Sequence, residues 1–237
     1  MKKGFFLVTS LLLVGIITAV TLCLRVLSAP KTVGVENKLS VVLDAGHGGI
    51  DGGVSGKKTG IKESDVNLSI THVLNETLSD MGFAVTLTRK TEGGLYGAPT
   101  KGFKRRDMQK RKEIIESAKP ALVISIHQNY YPSSSTRGAQ VFYNEQSEEG
   151  KTLALCLQDR LNGLYGEQNV KPRKASAGEY YMLECTSYPS VIVECGFLSN
   201  PTDEALLSSK SWQKKLSESI GRGVIDYFEK SSTVSLS

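Results

Sequence analysis

Three residues able to bind a metal or carry a proton stand at the ends of apolar, β-branched runs. Leu39-Ser40-Val41-Val42-Leu43 leads into Asp44-Ala45-Gly46-His47-Gly48-Gly49, Leu122-Val123-Ile124-Ser125-Ile126 ends on His127, and Val191-Ile192-Val193 ends on Glu194. In sheets of largely parallel strands, sites gather at the carboxyl ends of the strands. Parallel neighbours would bring two imidazoles and a carboxylate to one rim. The glycines around His47 permit a sharp turn and a close backbone approach to a ligand.

Two histidines, a carboxylate and one open position form a recurrent catalytic zinc arrangement. Glu63 is a candidate third ligand. It opens a helix after a loop holding Gly52, Gly53, Gly56 and Gly60, which can fold back beside His47. Asp44, Asp51 and Asp65 remain alternatives, because spacing alone does not choose among them. Zinc in such a site polarises an amide carbonyl and lowers the pKa of water from about 16 to about 7. A carboxylate just off the metal, Glu194, would carry a proton from water to the leaving nitrogen. The bland reading makes each strand-end histidine a satisfied polar residue and Glu194 a buried ion-pair partner. His72 lies in a helical pattern without a partner and is read as structural.

The elements that must position these groups alternate in type. Strands are expected at Leu39–Leu43, Phe83–Thr88, Leu122–Ile126, Ala139–Tyr143 and Val191–Val193, with a short one at Tyr180–Leu183. Several are apolar on successive residues, as strands buried on both faces are. Val66, Ile70, Val73, Leu74, Leu78 and Met81 follow helical spacing up to Gly82, where a helix would stop. Further helices are expected at Arg106–Ala118, Lys151–Leu164 and Trp212–Phe228, the last with Leu216, Ile220, Val224, Ile225 and Phe228 on its apolar stripe. Such alternation marks a single α/β domain with a mostly parallel twisted sheet flanked by helices. It spans 38–229, with a loose polar tail at 230–237.

The chain has 237 residues, 40% hydrophobic and 22% charged, and a net charge of +5. Lys2, Lys3 and Arg25 account for three of the 29 basic residues, leaving 26 against 24 acidic ones. The folded part is near neutral, so no nucleic-acid footprint remains. One cluster, Lys101, Lys104, Arg105, Arg106, Lys110, Arg111 and Lys112, reads as a solvated helix face, or else meets an anionic surface. Residues 1–29 combine a basic start, an apolar run from Gly4 to Leu24 and a small-residue exit, which is an export signal or an uncleaved membrane anchor. Residues 30–37 form a linker. Either reading places the domain outside the cytoplasm. Cys156, Cys185 and Cys195 cannot all pair and match no zinc-finger spacing.

The motifs resemble a known family. Val42-Leu43-Asp44-Ala45-Gly46-His47-Gly48-Gly49-Ile50-Asp51-Gly52-Gly53, with Glu63 and Asp65-Val66-Asn67-Leu68 after it, is similar to the opening of the type 3 family of N-acetylmuramoyl-L-alanine amidases. Ser125-Ile126-His127-Gln128-Asn129 is similar to its second histidine motif, and Val191 to Pro201 to its catalytic glutamate segment. The resemblance runs from about Leu39 to Phe228. Ala45 and Ser64 depart from a common proline and a common lysine, at positions that are not ligands.

The resemblance implies a mixed-sheet α/β fold, one Zn2+ on His47, Glu63 and His127, and Glu194 as base. The implied reaction hydrolyses the amide between N-acetylmuramic acid and L-alanine in peptidoglycan. Within the family the chain looks most like the germination-specific amidases of spore formers, which implies action on spore-cortex peptidoglycan leading to muramic-δ-lactam. An activating protein partner is a further expectation, since the chain looks too compact for the inhibitory helix of some relatives. The rivals are a vegetative autolysin of the same chemistry, a Cys195–His127 wall peptidase and a non-catalytic wall-binding module. Neighbours on a strand point to opposite faces, which disfavours Cys195 if Glu194 faces the metal.

Overall fold

The computed structural model describes residues 38–234. The expected export signal or anchor at 1–29 and linker at 30–37 lie outside the described residues. Among the described residues, no helix is long and apolar enough to cross a membrane.

Six strands form one sheet: β1 (Ser40–Ala45), β2 (Ala84–Leu87), β3 (Leu122–Asn129), β4 (Gln140–Tyr143), β5 (Ser176–Ala177) and β6 (Ser190–Phe197). Their order is β2-β1-β3-β6-β4-β5. β2, β1, β3 and β6 are parallel, β4 runs antiparallel to β6, and β5 pairs parallel to β4. The expected mostly parallel, mixed sheet is therefore present. β1, β3 and β6 hold its centre, so the three motif-bearing strands are neighbours.

The helices are α1 (Glu63–Asp80), α2 (Phe103–Ala118), α3 (Glu148–Gly166), α4 (Tyr181–Glu184), α5 (Pro201–Leu207) and α6 (Lys210–Val234). One face of the sheet meets α1, α3 and α6 over a large core that includes Leu43, Leu74, Ile124, Leu157, Leu216 and Ile220, all fully buried. Each such side chain stabilises the fold by about 1.5–3 kcal/mol through burial. On the other face a smaller cluster of Val42, Ile115, Val123, Ile192, Met182 and Leu183 lies under α2 and α4.

The differences from expectation have local causes. Tyr180–Leu183 is not a strand. Met182 and Leu183 are buried side by side while Tyr180 and Tyr181 are exposed, an arrangement that fits the single helical turn of α4 and not strand alternation. Helix α3 starts three residues early, because Ser147 caps it by accepting from Gly150 N at 3.0 Å and Glu148 and Glu149 suit its positive end. Helix α6 continues to Val234, past Lys230 where a loose tail was expected, and Tyr227 packs in the core beside the expected stripe. Helix α5, which was not among the expected helices, starts at Pro201, with Asn200 Oδ1 accepting from Thr202 N and Asp203 N.

Candidate metal centre

β1 ends at Ala45, and the chain turns through Gly46 into His47. His47 has a φ of 60°, a left-handed conformation that costs a non-glycine residue about 1–3 kcal/mol unless its surroundings enforce it. Two buried arginines enforce it. Arg111 Nη2 donates to His47 O at 2.6 Å, and its Nη1 donates to Ala45 O at 2.7 Å. Arg89 donates to Ala45 O, to Gly46 O at 3.1 Å and to Ser64 O at 3.0 Å. Arg89 thereby joins the His47 turn to the first residues of α1, where Glu63 lies.

Asp44 is the counter-charge of this knot. Its carboxylate accepts from Arg111 Nη1, from Thr88 Oγ1 at 2.6 Å and from Ser125 Oγ at 2.6 Å. Burial opposes its ionisation, but Arg111 and the two hydroxyls outweigh burial and hold the carboxyl below its usual range. With both oxygens engaged, Asp44 is no ligand. Asp65 is exposed and accepts from its neighbour Ser64, and exposed His72 lies beside Lys90 O. Arg111 is fully buried, so the expected solvated face of the basic cluster is wrong for this residue.

The other candidates converge. His47 Nε2 is 3.3 Å from Glu63 Oε2, and His127 Nδ1 is 3.0 Å from Glu63 Oε1. Among the described residues, His47, Glu63 and His127 form a group that can hold a metal ion, with ligand atoms within 4.8 Å of one another. Two imidazole nitrogens and a carboxylate oxygen facing one point are the donor chemistry of a catalytic zinc site. Asp51 joins as a supporting group, its Oδ2 lying 3.1 Å from His47 Nδ1. A carboxylate on the far nitrogen of a ligating histidine sets its tautomer and orientation. Glu63 in turn accepts from Gln128 N at 3.1 Å and Val54 N at 3.0 Å. Burial opposes its charge, but His127 and His47 hold its carboxyl far below the usual range.

Two glycines permit this close packing. A Cβ on Gly46 would lie 2.2 Å from His127 Cε1, and one on Gly53 2.4 Å from Glu63 Oε2. The far end of the glycine-rich loop is tied down by Glu204 of α5, which accepts from Lys58 N at 2.8 Å, Thr59 N at 2.7 Å and Thr59 Oγ1 at 2.6 Å.

Glu194 stands directly opposite His127 in the β3–β6 register. Its Oε2 is buried without a hydrogen-bond partner. Burial pushes its pKa up to about 7, with His127 pulling it down and Glu63 raising it. Cys195, the next residue on the strand, is fully buried, and burial pushes its thiol far up. Its Sγ lies 3.6 Å from Val193 O, so it is no nucleophile at this rim. Cys156, Cys185 and Cys195 are all unpaired.

The family described as N-acetylmuramoyl-L-alanine amidase (Amidase_3) matches residues 41–226. The chain belongs to this family. It is 37% identical over 202 residues to the germination-specific N-acetylmuramoyl-L-alanine amidase of Bacillus subtilis (strain 168), covering 84% of this chain and 83% of that protein. Among solved structures it is similar to the CwlD amidase from Clostridioides difficile in complex with the GerS lipoprotein (TM-score 0.75, 34% identity, 81% of this chain and 99% of that one). It also resembles the catalytic domain of CwlV from Bacillus (Paenibacillus) polymyxa, at a TM-score of 0.70 and 26% identity over 81% of this chain and 98% of that one. The protein is a peptidoglycan amidase, a hydrolase.

In this amidase, sequence reasoning missed the supporting arginines and Glu204, whose partners are distant in the chain. Two outcomes test the geometry. Gly46→Ala should displace the His127 ring, so that the dialysed protein loses its divalent metal while its circular dichroism stays native; stoichiometric metal in the variant would contradict this. The stability that Asp44 contributes is present above about pH 4, the pKa of an unfolded aspartate, and is lost as pH falls toward its lower folded value. Asp44→Asn should lower the unfolding free energy by about 1–3 kcal/mol at neutral pH, because it removes one of the two carboxylates that pair with buried Arg111 and leaves only Asp107. Its urea midpoint should also fall less steeply than wild type on acidification from about pH 5 to pH 3.

Proposed function

We propose that the chain is a zinc-dependent N-acetylmuramoyl-L-alanine amidase of spore-cortex peptidoglycan, with His47, Glu63 and His127 as metal ligands and Glu194 as catalytic base. The observation that carries the catalytic part is the difference between its two carboxylates. Glu63 is held in its charged form between two imidazoles, whereas Glu194 is half-buried with its Oε2 buried and unpartnered. Environments that push two carboxylates apart in this way separate a ligand from an acid–base group. Bound among the three ligands, zinc supplies Lewis acidity toward the amide carbonyl and an acidified water.

The chain's own groups do the rest. Glu194 Oε2 accepts the proton of the attacking water and returns it to the departing amide nitrogen, because a carboxyl with a pKa near 7 both takes and gives a proton at neutral pH. The C–N bond of the lactyl amide breaks, leaving a carboxylic acid on muramic acid and a free amine on L-alanine. Asp51 holds the His47 ring, and the Arg89–Arg111 knot holds the turn that carries it. A buried Cys195 speaks against the thiol-peptidase reading.

The spore-cortex assignment draws support from the 37% identity to a relative named for germination. In this reading, removal of stem peptides prepares muramic acid for conversion to muramic-δ-lactam. The protein acts outside the cytoplasm, exported or anchored by residues 1–29. A protein partner of the lipoprotein kind fits the 34% identical neighbour, whose structure is a complex with the GerS lipoprotein.

Mass spectrometry of purified muropeptides after incubation with zinc-loaded protein tests the bond. Free peptides beginning in L-alanine are expected; cuts within the peptide or the glycan reject the reading. Glu194→Gln should lower kcat by about 10²–10⁴-fold while retaining zinc. Unchanged turnover would remove Glu194 from its role.

A further inference from the structure

We propose that Asn67 is a positioning residue of the metal centre: its buried amide joins the three segments that carry His47, Glu63 and His127 and fixes the spacing of these ligands. The proposal rests on the zinc reading above. Asn67 lies one turn after Glu63 on α1 and is fully buried. Its Nδ2 donates to Gly46 O at 3.1 Å, in the residue before His47, and to Glu63 Oε1 at 3.4 Å. Its Oδ1 accepts from Gln128 Nε2 at 3.1 Å, in the residue after His127. One side chain thus reaches one ligand directly and the immediate chain neighbours of the other two.

The residue type follows from this geometry. Asparagine favours a helix less than alanine or leucine does, and burying its amide is costly, so neither propensity nor apolar packing accounts for it inside α1. The position needs a group that donates to two oxygens on one side and accepts from a nitrogen on the other, which a primary amide does. A carboxylate here would set oxygen against oxygen at both Gly46 and Glu63. Gln128 closes the arrangement. Its backbone N donates to the same Glu63 Oε1 at 3.1 Å, so Glu63, Asn67 and Gln128 form a ring of hydrogen bonds. Gln128 is itself buried, and its Oε1 has no hydrogen-bond partner. Its side chain is therefore held through the bond to Asn67.

The Arg89–Arg111 knot does not duplicate this function. Its guanidiniums bind the backbone of the His47 turn and Ser64 O, and none of their hydrogen bonds reaches the Glu63 carboxylate or Gln128. Loss of Asn67 would leave Glu63 freer to rotate and uncouple it from the ends of β1 and β3. Removing a group that orients metal ligands from behind commonly weakens metal binding by about 10–100-fold.

The test is the zinc affinity of the metal-free, full-length protein, measured by competition with a chromogenic chelator. Asn67→Leu, branched at the same carbon as asparagine, should bind zinc about 10–100-fold more weakly than wild type. Saturated with cobalt instead, it should show a visible spectrum altered from that of wild type. Gln128→Met should weaken binding by a smaller factor, and the double variant should bind no more weakly than Asn67→Leu alone, because Gln128 acts through Asn67. Leu74→Ala, two turns further along α1 in the apolar core, should lower the thermal midpoint and leave the affinity unchanged. Wild-type affinity in Asn67→Leu, or an equal loss in Leu74→Ala, would overturn the proposal. Should Asn67→Leu fail to fold, Gln128→Met decides, and an unchanged affinity there overturns it. Failure of the wild-type protein to bind zinc would instead overturn the metal reading, and this proposal with it.

Discussion

The site depends on a knot of buried charge at the carboxyl end of β1. The guanidiniums of Arg89 and Arg111 satisfy the carbonyls of Ala45, Gly46, His47 and Ser64, and Asp44 offsets their charge. Burying two cations side by side is costly, and burial and the neighbouring Arg111 push the Arg89 pKa down. What the arrangement enforces is shape. It holds His47 at positive φ and fixes the distance from that turn to the start of α1, and hence from one imidazole to Glu63.

The sheet register supplies the second half. Because β3 and β6 are parallel and paired His127 to Glu194, the second imidazole and the free carboxylate share one rim without either being built by a loop. Side-chain alternation on β6 sends Cys195 into the core on the opposite face. One step of slip in that pairing would exchange the thiol and the carboxylate. The difference between a carboxylate held between two imidazoles and one left without a partner thus follows from strand pairing as much as from residue type.

Much of this was legible in the residues. The runs that lead to His47, His127 and Glu194 show as β-branched stretches, whereas spacing left Asp44, Asp51 and Asp65 open beside Glu63, which the resemblance to the amidase family singled out. What was hidden depends on contacts across the chain. Arg111 looked like one more charge on a basic helix, since nothing local shows that its partner is 67 positions away. Asp51 was weighed as a ligand, yet it faces His47 Nδ1, while Glu63 faces Nε2 of the same ring. Tyr180–Leu183 carried strand-forming residue types, but its adjacent buried pair suits a helical turn, and β5 is too short to leave a periodic signal. The early start of α3 was written in capping and charge, which apolar periodicity does not register.

The central claim is that His47, Glu63 and His127 hold one ion while Glu194 stands off it. Anomalous diffraction at the zinc absorption edge, from crystals of the purified protein, tests this most directly. The account predicts a single peak bonded to one atom of each of those three side chains at about 2.0–2.2 Å, with Glu194 outside bonding distance. A peak elsewhere, or one coordinated by Glu194 in place of Glu63, would contradict it.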